Sequence, residues 1–231
     1  MNGHVHADVR ERRRRHQAHM KKGLMMAPRA CRALDGQRMT DDLGGMMHMT
    51  LEILDWHDGD LLAKPVFDKL NELVAAGVPE SKILGVTINS DEESDTDLWC
   101  PKYGIPFAIT GNVVVVHTHK TRKAPPEFAA AFVTADTRAD LNGVVKHTLE
   151  VSKVSFAPID AAVEATGMES GGMSPIGLPD GWPLLVDQHI LSIPKLYLGS
   201  GIRPSKLVVD GSIFADIPGV QFVPALGKPR G

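Results

Sequence analysis

The sequence predicts an α+β domain built on a mixed, curled sheet, and three observations lead there. Val113–Val116 is an unbroken β-branched run, the composition of a central strand buried on both faces. A second apolar run, Glu127–Thr134, follows it across a seven-residue stretch rich in Lys, Thr and Pro, the spacing of a hairpin. Helical patterns occur singly between strands instead of in regular β-α-β alternation, which argues against a doubly wound parallel sheet.

The elements follow in chain order. Pro65 suits the first turn of a helix, Val66, Leu70, Leu73 and Val74 recur at helical spacing, and Gly77 ends the run. Lys82–Ile88 reads as a strand. Asp95–Tyr103 reads as a short helix closed by Gly104 and Pro106. Leu141, Val144, Val145 and Leu149 mark another helix, with Thr137 as its cap and Asp140 in its first turn. Asp160 caps a further short helix that stops at Gly167. Strands are expected near Leu184–Val186, Leu196–Leu198, Leu207–Val209 and Val220–Val223.

Residues 1–49 differ from this globular part, 50–231. They combine Arg10, Arg12–Arg15, Lys21, Lys22, Arg29, Arg32 and Arg38 with eight methionines and no sustained apolar period, the pattern of a disordered basic tail. An RNA-gripping arm and a true start at Met46, Met47 or Met49 are the other readings. The 231 residues hold 43% hydrophobic side chains, enough for a full core. No apolar run approaches the roughly 20 residues of a membrane span. Cys31 and Cys100 are too few for a disulfide framework and fit a reducing cytoplasm. With a formal net charge of -3, any nucleic-acid contact must come from a local basic patch, and DNA binding is not expected.

The densest chemistry lies in Thr166–Asp187. Gly167, Gly171, Gly172, Gly177 and Gly181 alternate there with Pro175, Pro179 and Pro183, a density that excludes regular structure and bends the chain sharply. Bare backbone beside a buried strand suits a small-molecule or nucleotide-end pocket.

The segments Ala131–Gly143, Lys153–Pro158, Thr166–Gly177, Val186-Asp187 and Leu198–Arg203 together resemble the YbaK family of editing domains associated with prolyl-tRNA synthetase. The resemblance covers roughly Asp60–Leu226. It implies a barrel-like sheet surrounded by helices. It also implies hydrolysis of the ester of mischarged tRNA bearing a small amino acid, in the cytoplasm, without cofactor or metal. The implied partners are the aminoacyl-tRNA 3′ end and a synthetase.

The family's Gly-x-x-x-Pro loop maps onto Gly171–Pro175, where main-chain N–H groups of Gly171 and Gly172 would meet the terminal adenosine and the aminoacyl carbonyl. Pro175 and Gly177 complete that wall. The family's functional lysine matches Asn112 or Val113 here. Asn112 donates hydrogen bonds but carries no charge, so a non-catalytic domain that binds a tRNA end, an amino acid or a synthetase is the alternative. Lys120 and Lys146 are other sources of charge, and an ester not carried by tRNA is a third reading.

Several further candidates carry more than one reading. Ser174 is a hydrogen-bond partner of substrate or a nucleophile. Asp187 orients a water, holds a ribose hydroxyl, or caps a loop. Gly199 and Gly201 shape the pocket, while Arg203 and Lys206 touch a tRNA phosphate or form a solvated basic face; Arg138 shares that split. His117 and His119 point to one face of a strand, but no third metal ligand follows at a telling spacing. Trp56, Trp99, Trp182 and Cys100 read as packing residues.

Overall fold

The computed structural model describes residues 51–121 and 123–230. The tail read over 1–49 lies outside them. Helix α1, Lys64–Ala75, starts with Pro65 in its first turn and is followed by Gly77 at φ 96°. Its apolar stripe buries Val66, Leu70 and Leu73. Helix α2, Thr96–Tyr103, ends on Gly104 in the left-handed region, and Gly104 N–H donates to the Pro101 carbonyl.

Three sheets form. In the first, β1 (Ile83–Ile88), β8 (Ser205–Val209) and β7 (Leu196–Gly199) run antiparallel in the order β1-β8-β7. The second has the order β5-β2-β3-β6-β9, from β2 (Gly111–His119), β3 (Glu127–Thr134), β5 (Lys153–Phe156), β6 (Leu184–Asp187) and β9 (Val220–Val223). Its β5-β2-β3 part is antiparallel and its β3-β6-β9 part parallel. A small ribbon pairs β4 (Thr137–Ala139) with β10 (Gly227–Pro229). The two larger sheets touch through one bridge, Thr110 to Tyr197. The sheet is therefore mixed, as expected, but the strands form separate sheets and no closed barrel among the described residues.

Strand alternation builds two cores at once. Ala130 and Phe132 of β3 face α1, β7 and β8, where Leu198, Leu207 and Val209 are buried. Ala129, Ala131 and Val133 face the opposite way, onto Val145, Val151 and Leu226. Only small residues at 129–131 let both layers approach β3 closely. On the outer face of the first sheet, Trp99 and Cys100 of α2 pack on Tyr197 and Val208.

Two expectations need correction. Thr137 lies in β4, and the helix cap is Asp140, whose carboxylate accepts from the Gly143 and Val144 N–H groups of a π-helical turn, Leu141–Val145. That turn runs into α3, Lys146–Thr148. In α4, Ile159–Thr166, Pro158 holds the cap position and Asp160 lies in the first turn; the stop at Gly167, φ 66°, is as read. No helix among the described residues is long and apolar enough to cross a membrane.

Candidate active site

One cavity of about 520 Å³ opens where β2 leaves one neighbour and has not yet met the next. Strand β5 covers β2 only from Val116 to His119, and β7 reaches it only at Thr110. Between these points Gly111, Asn112, Val113, Val114 and Val115 line the cavity consecutively. A strand face contributes alternate residues, so an unbroken run of five means that the cavity lies along the strand's edge.

The other walls come from four places. Ser94, Asp95 and Thr96 enter from the start of α2, Ser170, Gly171 and Met173 from the glycine loop, Gly199 from the end of β7, and Lys206 from β8. Phe156, Ala157, Ile159 and Ala162 form the β5–α4 side. Phe156 is 71% and Ile159 63% exposed, so the rim carries large apolar side chains in contact with solvent.

Lys206 supplies the positive charge. It is only 5% exposed, donates from Nζ to the Ser94 carbonyl at 2.9 Å, and lies 5.2 Å from the centre of the Trp99 ring. Burial pushes its pKa down from 10.5 to about 8, with the nearby Cys100 and Asp95 opposing that shift and Arg203 adding to it. The sequence reading of Lys206 as a solvated basic face therefore does not describe its surroundings. Asn112, one of the two residues that the resemblance matches to the family lysine, sits in the same cavity, and its Oδ1 accepts from Thr96 Oγ1 at 3.0 Å. Ser94 Oγ is buried without a hydrogen-bond partner at this wall. Burial raises the pKa of Cys100, which keeps its thiol protonated.

Of the residues singled out in the sequence, Asn112, Val113, Gly171, Gly199 and Lys206 line the cavity, and the others do not. Gly172 lies against the Ile202 backbone, which a Cβ would strike, while a Cβ on Gly171 would strike the Arg203 guanidinium. The loop is tied down by Gly201 N–H to the Gly172 carbonyl at 2.7 Å and Glu169 N–H to the Gly201 carbonyl at 2.8 Å. Its glycines thus serve loop-on-loop packing first. Ser174 is fully buried, and its Oγ accepts from Ile176 N–H. Pro175 is buried beside it, and Gly177 abuts the Pro65 carbonyl. Gly201 fits against Ala63.

Arg203 donates to the carbonyls of Asp91 (2.8 Å) and Ser170 (3.3 Å), bracing two cavity-forming segments. Asp187 accepts from His189 Nδ1 at 2.8 Å and Gly227 N–H at 2.7 Å, outside the cavity lining. Arg138 lies on the β4 ribbon, away from the lining. His119 Nδ1 pairs with the Ala124 carbonyl, and His117 packs edge-on against Phe128. No group of three potential metal ligands occurs among the described residues.

Sequence reasoning missed Ser94, Thr96, Met173 and the Phe156–Ala162 side. Thr96 and Ser94 carried a faint signal as polar residues at a helix start; Phe156 and Met173 lay within segments of the family resemblance but were not singled out, since the exposure of Phe156 depends on where β5 ends.

The comparisons agree with this architecture. Residues 102–217 match the model of a family described as the aminoacyl-tRNA editing domain. A protein named as a candidate trans-editing enzyme for prolyl tRNA synthetase superposes with a TM-score of 0.57 at 17% identity, covering 73% of this chain and 99% of its own. A computationally designed epitope-presenting scaffold gives a TM-score of 0.56 at 15% identity, covering 73% and 100%. The hypothetical protein APE2540 gives 0.55 at 22% identity, covering 67% and 98%. At these identities the superpositions establish a shared fold. No curated protein matches the chain.

Proposed function

Because the chain belongs to the aminoacyl-tRNA editing domain family, we propose that it is a cytoplasmic trans-editing deacylase that hydrolyses the ester of tRNA mischarged with a small amino acid. The observation that carries this reading is the buried ammonium of Lys206 in the cavity that also holds Asn112. The resemblance puts Asn112 or Val113 where the family has its lysine, and Lys206 would supply a cation to the same cavity from a different strand.

The chemistry asks little of side chains. An aminoacyl ester is activated, and attack by water builds negative charge on its carbonyl oxygen. A preorganised ammonium in a poorly hydrated site stabilises that charge strongly, because it needs no reorganisation as the charge forms. The exposed ring of Phe156 and the side chain of Ile159 offer an apolar rim on which the terminal adenine would stack. Met173 and Ala162 would limit the size of the amino-acid side chain.

The test is release of free amino acid from a panel of mischarged tRNAs by the purified chain. Turnover of alanyl- or cysteinyl-tRNA is expected, and correctly charged tRNA with a bulky residue should persist. Binding of the charged 3′ end without release of amino acid would select the binding-only alternative.

A further inference from the structure

The edge of β2 that borders the cavity has no paired strand along it. Hydrogen bonds on either side fix which way each residue's N–H and C=O point. The Thr110 carbonyl accepts from Ala135 N–H, at the start of the β3 side. The Val115 carbonyl accepts from Ala157 N–H at 3.1 Å and the His119 carbonyl from Ser152 N–H at 2.8 Å, both on the β5 side. Even-numbered residues therefore bond β3, and odd-numbered residues turn their N–H and C=O the other way. For Val113 the other way is the cavity. On that side no strand pairs with Val113: the pairing with β5 stops at Val116, and the bridge to β7 lies at Thr110.

The length of this free edge limits its occupant. It begins beyond the Thr110–Tyr197 bridge and ends where Ala157 takes the Val115 carbonyl. Within it only Val113 offers both a donor and an acceptor to the cavity. That is the complement of one residue in a hydrogen-bonded antiparallel pair, not of an extended peptide. An α-aminoacyl ester carries such a pair, an amine and a carbonyl on adjacent atoms of one residue.

We propose that Val113 reads the main chain of a single α-aminoacyl group, its carbonyl accepting from the substrate's α-amino group and its N–H donating to the ester carbonyl. The inference rests on the editing reading above and narrows its substrate to esters with a free α-amine. It explains how the site recognises an amino acid without engaging its side chain, so that size selection falls to the walls. It also aims a backbone donor at the carbonyl oxygen that gains charge during hydrolysis.

Non-hydrolysable amides separate this from catalysis. Calorimetric titration would compare 3′-alanylamido adenosine with 3′-propionylamido adenosine, which lacks only the amine, and with the alanyl-alanyl analogue. The alanyl compound should bind about tenfold more tightly than the propionyl one. Equal affinity would overturn the proposal, as would tighter binding of the dipeptidyl compound, which would indicate a peptide groove. Asp95 is the one acid among the lining residues, so D95N should keep the preference; its loss there would assign the amine to Asp95 and sink the Val113 reading.

V113P removes the N–H that faces the cavity and leaves the β3 ladder its donors, so it should weaken alanylamide binding about tenfold. Unchanged binding in a folded V113P would count against the N–H contact. Should V113P fail to fold, the ligand series on the unaltered chain decides alone. Turnover of mischarged tRNA with no amine preference would leave editing standing and the Val113 slot overturned. Amine preference without turnover would do the reverse.

Discussion

Two stretches of backbone border the same cavity and are held in opposite ways. The glycine loop looks like a ligand-binding wall in sequence, yet Gly172, Gly177 and Gly201 press against neighbouring chain, and their lack of side chains is used up in packing. The β2 edge looks like an ordinary core strand, yet at Val113 it borders the cavity with no strand paired on that side. Absence of a side chain marks where chain meets chain; absence of a neighbouring strand marks where chain can meet ligand. Only the first leaves a trace in composition.

The largest test of this contrast is the cation that faces the open edge. Lys206→Met should lower single-turnover deacylation by about 10²–10³-fold, the scale for losing a preorganised charge at a developing oxyanion. The same variant should be more stable, by roughly 1–3 kcal/mol in denaturant unfolding, because a charge is no longer held in a dry site. Loss of activity with loss of stability would instead make Lys206 a structural strut. A double variant adding Asn112→Lys, which puts a cation back on the cavity wall from β2, should recover part of the rate.

On the glycine side, Gly172→Ala should act through folding. Its Cβ meets the Ile202 backbone, which cannot rotate away, so we expect roughly 2–4 kcal/mol of destabilisation and nearly unchanged activity per folded molecule. A stable Gly172→Ala protein that no longer deacylates would return the loop to a direct role in binding.

Much of the fold was legible because its signals are local. Helical spacing at Val66–Val74 and the paired runs at Val113–Val116 and Glu127–Thr134 needed no knowledge of distant chain. β4, β5 and β10 were missed because each is short and has no apolar period; they exist through pairing with partners already in place. The site was legible only in part for the same reason. Gly171 and Asn112 were named from the family pattern. Lys206 was named as a tRNA-phosphate contact or a solvated basic face, not as a buried cation, because one lysine before Leu-Val-Val on a strand says nothing about whether α2 covers it. The Val113 edge required knowing where β5 stops.

Protonation offers a sharper probe of the charged wall. Lys206 has a folded-state pKa of about 8, below its ordinary value of 10.5. The unfolded chain therefore binds more protons between those values, and stability should rise with pH across that window, with the full cost of the buried charge present below it. Activity should move oppositely. Relative to uncatalysed ester hydrolysis at each pH, the rate should hold below about 8 and fall near tenfold per unit above it, as the ammonium is lost. A rise through the same pH would make neutral Lys206 a general base, and a flat profile would remove it from the reaction.

The smallest effect is expected at Arg203, which sits between the two regions. Its guanidinium ties Ser170, at the cavity wall, to Asp91, ahead of α2. Both bonds are to neutral carbonyls on a half-buried side chain, so Arg203→Ala should cost about 1 kcal/mol of stability and loosen the wall enough to raise KM a fewfold. If those bonds are its role, the salt dependence of tRNA binding stays as it was. If Arg203 instead leaves its carbonyls to grip a phosphate, the slope of log K against log salt would shrink by nearly one unit on substitution. A titration at four salt concentrations separates the two, because a strut changes the intercept while a phosphate contact changes the slope.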